Sequence, residues 1–194
     1  MAMKYLLRLF LILITVLHAD KQFNAFSQHH DTIAVKQIGA TDTLKKSIPR
    51  EEHVKIGNAH IRIKYYSPAV RGRIIWGGLV PYNEVWVTGA HSATSFEISR
   101  NFVINNKEIP AGKYAIFTIP GKEKWTVILN KNWDQHLTDE YSEKEDLIRI
   151  DVVPQNLTDI QERLNYTIVS ENSDSAIVSI GWEKIKVALQ FYIK

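Results

Sequence analysis

The chain has 194 residues, is 45% hydrophobic and contains no cysteine, so it has a globular composition that excludes disulfides, thiolate catalysis and lipid attachment through cysteine. Residues 1–19 hold Lys4 and Arg8 but no acid, so the formal charge of +3 falls to +1 once they are set aside, with 22 basic against 21 acidic side chains. That balance projects no field that would attract a phosphate backbone, and nucleic acid is not expected as a partner.

The first element is an apolar run over residues 6–17, preceded by Lys4 and interrupted early by Arg8. It is too short to span a bilayer comfortably and has the length of a signal-peptide core. Ala19 offers a cleavage point, although Leu17 at the −3 position departs from the small-x-small rule. The expectation is a signal peptide over residues 1–19 and an exported product, periplasmic or extracellular, with no stable membrane span after its removal. The alternative is a protein anchored in the membrane by its N-terminus. Residues 20–50 are mostly polar, show no sustained period and close on Pro49, as expected of a flexible spacer. His29, His30 and Asp31 lie in it without the third and fourth preorganised ligands of a metal site.

A single β domain is expected over residues 51–194, where period-two alternation dominates. Val54 and Ile56 alternate with Lys55, Gly57-Asn58 interrupts, and Ala59, Ile61 and Ile63 resume the apolar face. A two-residue hairpin there pairs Ile56 with Ala59 and Val54 with Ile61, which places the apolar side chains of both strands together. Asn105-Asn106 predicts a second tight hairpin that pairs Phe102 with Ile109. Along residues 113–119, Tyr114 and Ile116 face one way and Phe117 and Ile119 the other, the pattern of a central strand covered on both sides. Residues 125–130, 147–153, 162–170 and 175–182 follow as strands. In the last strand Ile185, Val187, Leu189, Phe191 and Ile193 share one face. Residues 132–146 are the one stretch suited to a helical turn. About nine or ten strands predict an all-β, antiparallel β-sandwich or jelly-roll-like barrel.

Residues 67–99, SPAVRGRIIWGGLVPYNEVWVTGAHSATSFEIS, stand apart. Glycine and proline recur through them, and Arg71, Arg73, Trp76, Tyr82, Trp86 and His91 lie between. Long irregular loops are often functional. Arginine, tryptophan and tyrosine combine apolar area with directed hydrogen bonds. These six residues are the candidate ligand-binding set. Arg71 and Arg73 flank Gly72, and their guanidinium groups suit a carboxylate or phosphate. The alternative is structural: a loop that caps one end of the sandwich, its tryptophans plugging the core and its arginines tying down carboxylates or carbonyls.

This stretch, the INNKEIPAGKYAIFTIPGKEKWTVILNKNWDQ that follows, and the later DLIRIDVVPQ and SIGWEKIKVAL resemble the family called domain of unknown function 2911. The resemblance runs from about Glu51 to the C-terminus. It implies an exported bacterial-type protein and carries no assigned activity. One departure concerns the candidate site. Where the family pattern would place Trp-Arg-x-Gly-Ala-Asn, this chain has Trp86-Val87-Thr88-Gly89-Ala90-His91.

Catalytic and metal motifs do not emerge. There is no G-x-S-x-G elbow, and His91 and Ser92, adjacent on an extended chain, point to opposite faces. His60, His91 and His136 have no ligand spacing, and the acidic stretch Asp139, Glu140, Glu143, Glu145 and Asp146 lacks the D-x-D-x-D-G order of a calcium loop. Neither a catalytic residue, a metal nor a cofactor is assigned. Three functions remain. The first is a non-enzymatic binding module for a glycan or a small polar or anionic ligand at the cell envelope. The second is an envelope structural or protein-interaction module, and the third a hydrolase whose residues the sequence does not single out. The oligomeric state is not encoded in any recognisable motif.

Overall fold

The structure is a computed structural model, and it describes residues 46–194. The expected signal peptide and most of the expected spacer lie outside the described residues. The strand expected to follow the spacer begins at Ile48, so residues 48–50 already belong to it.

Among the described residues, ten strands form two antiparallel sheets. They are β1 (Ile48–Ile56), β2 (Ala59–Ser67), β3 (Thr94–Ile98), β4 (Phe102–Ile104), β5 (Lys107–Ile109), β6 (Gly112–Ile119), β7 (Trp125–Asn130), β8 (Asp146–Val152), β9 (Gln155–Ser170) and β10 (Ser175–Ile193). One sheet runs β1-β2-β3-β6-β7-β8 and the other β5-β4-β10-β9. Both are open, so the architecture is a sandwich and not a closed barrel. Among the described residues the only helical element is a 3-10 turn, Glu143–Glu145, within the stretch suited to one. None of their helices is long and apolar enough to cross a membrane.

The two hairpins read from turn chemistry have the expected register. Ile56 pairs with Ala59 and Val54 with Ile61 across Gly57-Asn58, and Phe102 pairs with Ile109 across Asn105-Asn106. Gly57, Asn105 and Asn106 all have positive φ, which a two-residue hairpin of the primed type requires. Pro49 is accommodated because β1 is an edge strand.

The inner faces meet in a core of isoleucine, valine and aromatic side chains, in which Phe96, Phe102 and Phe191 pack edge to face. A cavity of about 20 Å³ remains between the sheets, walled by Phe96, Phe102, Ile116, Leu129, Val187 and Phe191 among others. It has about the volume of one water and almost no polar lining, so a polar ligand has no partner there.

β6 is covered on both faces. Tyr114 and Ile116 join the main core, whereas Ala115 and Phe117 pack outward with Val87, Ala93 and Ile128. Trp133 and Tyr141 from the chain between β7 and β8 lie over this second cluster. That chain is pinned by Asp146. Its Oδ2 accepts hydrogen bonds from the Tyr141 hydroxyl and Arg149 Nε, each at 2.7 Å, and its Oδ1 accepts one from Asn130 Nδ2 at 2.7 Å.

β10 is not straight. Nineteen extended residues would span about 60 Å, yet the N–H of Ile193 bonds to the carbonyl of Asp174 at 2.6 Å. The strand therefore folds back on itself. The bend lies at Glu183, whose φ is 56° and which sits between two register shifts. β9 follows the outer track. It advances from Gln161 to Asn156 while β10 advances only from Glu183 to Ile185.

Candidate binding site at the capped end of the sandwich

Residues 67–99 divide in two. Thr94–Ile98 is β3, an interior strand of the six-stranded sheet, with Thr94, Phe96 and Ile98 buried. Residues 68–93 are irregular and close the end of the sandwich where β10 bends.

Their path is fixed by backbone bonds to scaffold strands. Pro68 accepts from the N–H of Leu164, and Val70 donates to the carbonyl of Glu162 at 2.7 Å, so the chain runs briefly as an extra strand beside β9. It then turns sharply. Arg71 and Gly72 have φ of 55° and 66°, and the N–H of Arg73 bonds to the carbonyl of Val70 at 3.0 Å. Two successive positive φ values inside such a bond define a primed turn.

The turn gives the two arginines different surroundings. Arg73 curls back, with Nε donating to the carbonyl of Val70 at 3.1 Å and Nη2 to that of Ala69 at 2.5 Å. Arg71 is held by its backbone, its N–H bonded to Glu162 Oε1 at 2.8 Å, while its guanidinium is exposed and meets no carboxylate among the described residues. The stretch from His53 to Asn83 contains no aspartate or glutamate.

After the turn, residues 74–80 form a tight lap. The N–H of Leu79 bonds to the carbonyl of Ile74 at 3.0 Å, and that of Val80 to Ile75 at 2.9 Å. Ile75 and Val80 point inward and are 2% exposed, whereas Ile74 and Leu79 point outward and are 78% and 48% exposed. Gly77 has φ 77°, and a Cβ there would stand 2.8 Å from the Tyr82 ring. Tyr82 is thus packed on the lap, half-buried, with Lys122 Nζ 5.9 Å from its ring centre.

Trp76 and Trp86 lie beneath. With Trp125 and Trp182 they form a cluster in which Trp76 meets Trp125 at 4.8 Å and Trp182 at 5.8 Å between ring centres, and Trp86 stacks on Trp182 at 5.7 Å. Their faces are engaged by one another, so they plug the end of the core. The indole N–H of Trp182, 1% exposed, has no oxygen acceptor, and neither has that of Trp76. The two rings cross at 83°, an edge-to-face geometry in which an indole edge meets a π face.

His91 lies apart from this cap. Its φ is 62°, and its ring meets Tyr66 edge-on at 4.9 Å on the outer face of the six-stranded sheet. Just before it, Thr88 holds φ 52°, unusual for a β-branched residue. The Tyr166 hydroxyl clamps it, donating to the Thr88 carbonyl at 2.9 Å, and Thr94 Oγ1 donates to the same oxygen at 3.1 Å. Complete burial pushes the Tyr166 hydroxyl pKa far above its ordinary value, so it remains a donor. Tyr65, tilted against Tyr166, is pushed up to about 12, mainly by burial.

Beyond His91 the structure pairs Ser92 with His136, whose Nδ1 lies 2.9 Å from Asp139 Oδ2. This neighbourhood has no local signal, because Ser92 and His136 are 44 positions apart and only the tertiary pairing joins them. The carboxylate and imidazole are 63% and 64% exposed, and no hydrogen bond joins Ser92 Oγ to the ring. Nothing there excludes water or pins a nucleophile against its base, as acyl transfer needs. Among the described residues no three His, Cys, Asp or Glu side chains converge as a metal site.

A family model described as "Protein of unknown function (DUF2911)" matches residues 47–191, which takes in both sheets and the cap between them. No curated protein and no solved structure matches the chain.

Proposed function

We propose, from the premise that the chain belongs to the DUF2911 family of proteins of unknown function, that it is a non-enzymatic binding module for a small anionic ligand or an anionic glycan at the cell envelope. The observation that carries this is Arg71. Its backbone is fixed by a primed turn and by Glu162, while its guanidinium projects into solvent from an acid-free stretch without a carboxylate partner. A guanidinium without a partner, carried on a fixed backbone, is available to an oxyanion. The short apolar run at the N-terminus, preceded by Lys4 and without an acid, supports the envelope location.

Four of the five tryptophans lie in the cluster beneath this turn, so emission reports on the cap. Titration with inorganic phosphate and with anionic and neutral saccharides should give a saturable change for an anion. Arg71→Ala should remove it without lowering the melting temperature. A panel with no responder, or an Arg71→Ala protein that titrates like the parent, would refute the proposal.

A further inference from the structure

The lap beside Arg71 has an unusual surface for the end of a soluble sandwich. Seven large apolar side chains are substantially exposed among the described residues, and Ile74 is the most exposed at 78%. Leu79 joins it through the backbone bond that closes the lap. Val153 is 75% exposed and follows Val152, the partner of Trp125, whose ring touches Trp76 inside the lap. Ile74 and Leu79 form the outer side of the lap that carries Trp76. They are not the collapsed edge of a groove, because the inward neighbours Ile75 and Val80 already fill the core.

Cations frame the apolar tip. Arg71 and Arg73 precede Ile74 directly, and Lys122 stands over Tyr82 on the adjoining turn. None of the three meets a carboxylate within ion-pair distance among the described residues, whereas Lys124, one turn away, pairs with Asp151 at 2.7 Å. Arg73 keeps its charge while bonded to neutral carbonyls.

Solvent favours neither half of this arrangement: exposed apolar tips lose by contact with water, and neighbouring unpaired cations repel. An anionic lipid surface satisfies both at once. Apolar side chains enter the boundary between headgroups and acyl chains, and arginine and lysine settle among phosphates at its level. We infer that the turn and lap of residues 71–80 dock the domain onto an anionic lipid surface, with Ile74 and Leu79 inserted and Arg71, Arg73 and Lys122 bound to headgroup phosphates. This rests on the binding-module reading above and names its partner. The rigid tryptophan plug below gives the tip a firm base, so that insertion requires no rearrangement of the core.

The test uses the full chain with vesicles of phosphatidylglycerol or phosphatidylcholine whose acyl chains carry bromine, a short-range quencher. Residues 1–45 contain no tryptophan, so quenching of tryptophan emission reports on the folded domain and not on the N-terminal apolar run. Anionic vesicles should quench, neutral vesicles should not, and raised salt should weaken the effect. The Ile74→Asp/Leu79→Asp protein should lose vesicle affinity by about tenfold or more. Arg71→Ala should lose about fivefold. Because all three side chains are exposed, circular dichroism of the variants should match the parent. No quenching by either vesicle, equal quenching by both, or full quenching of the Asp/Asp protein would overturn the inference. A response to soluble phosphate without quenching by vesicles would also overturn it while leaving the binding module intact. A failure with both soluble anions and vesicles would remove the two together.

Discussion

Arg73 and Arg71 lie two residues apart with like side chains, yet their removal should have opposite consequences. Arg73→Ala deletes two hydrogen bonds to the carbonyls of Ala69 and Val70, partly buried where the chain leaves β9. At ~0.5–1.5 kcal/mol each for a net intramolecular bond, the loss is about 2 kcal/mol. The Val70 carbonyl keeps its bond from the Arg73 N–H, so the figure is not raised further for an orphaned acceptor. For a domain of this size, ~2 kcal/mol lowers the melting temperature by about 4–8 °C. Arg71→Ala removes an exposed guanidinium without a partner and should stay within ~0.5 kcal/mol of the parent. Arg73→Lys should resemble Arg73→Ala, because an ammonium on a flexible stem cannot reproduce the fork that spans two carbonyls. Thermal melts followed by near-ultraviolet circular dichroism, with urea midpoints as a second measure, separate the cases. Equal melting of Arg71→Ala and Arg73→Ala, or an Arg73→Ala protein as stable as the parent, would show that the curled-back geometry does not hold the turn.

Trp182→Ala, which opens the centre of the tryptophan cluster, should cost about 3–5 kcal/mol and leave a protein that melts about 6–20 °C lower or does not fold; a loss below ~1 kcal/mol would mean that the plug is not part of the core. Stability should also fall at alkaline pH. Burial raises the Tyr65 and Tyr141 hydroxyls to about 12, and for Tyr141 the bond to Asp146 adds to the effect. Against an unfolded value near ~10, their contribution is complete below that pH and disappears as pH rises towards about 12. Urea midpoints should therefore be level to about pH 10 and then drop, with a shallower drop for Tyr141→Phe; a level midpoint at pH 11.5 would contradict the cause assigned to these shifts.

Much of the scaffold could be read from local chemistry because turn and alternation agreed. Gly57-Asn58 and Asn105-Asn106 set the hairpins, and each register places apolar partners together. The double covering of β6 was visible in its apolar residues, although its cover, Trp133 and Tyr141, was not. β3 was hidden because Thr94–Ile98 follows a run of glycine and proline without a turn signal of its own. The strands read as 175–182 and the last are one bent element, since Glu183 adopts a left-handed conformation that glutamate does not advertise. At the cap, residue type identified the segment but not the role of each side chain. The tryptophan cluster joins positions as far apart as Trp76 and Trp182, and Arg73 is distinguished from Arg71 only by a backbone turn. Tertiary packing decided both.

The fold-back of β10 also constrains how the chain can acquire its structure. Its terminal residues are stitched in at several points: Ile193 bonds to Asp174, Tyr192 pairs with Val103, and the N–H of Lys194 bonds to the carbonyl of Asn101 at 2.8 Å. β4 and β5, made mid-chain, have no sheet to join until those residues arrive. A nascent chain on the ribosome therefore lacks one wall of its core until β10 has emerged, and such late, non-local closure folds slowly. Until then the hairpin of β4 and β5 lacks the strand it pairs with, and the inner face of the six-stranded sheet has no partner layer to cover it.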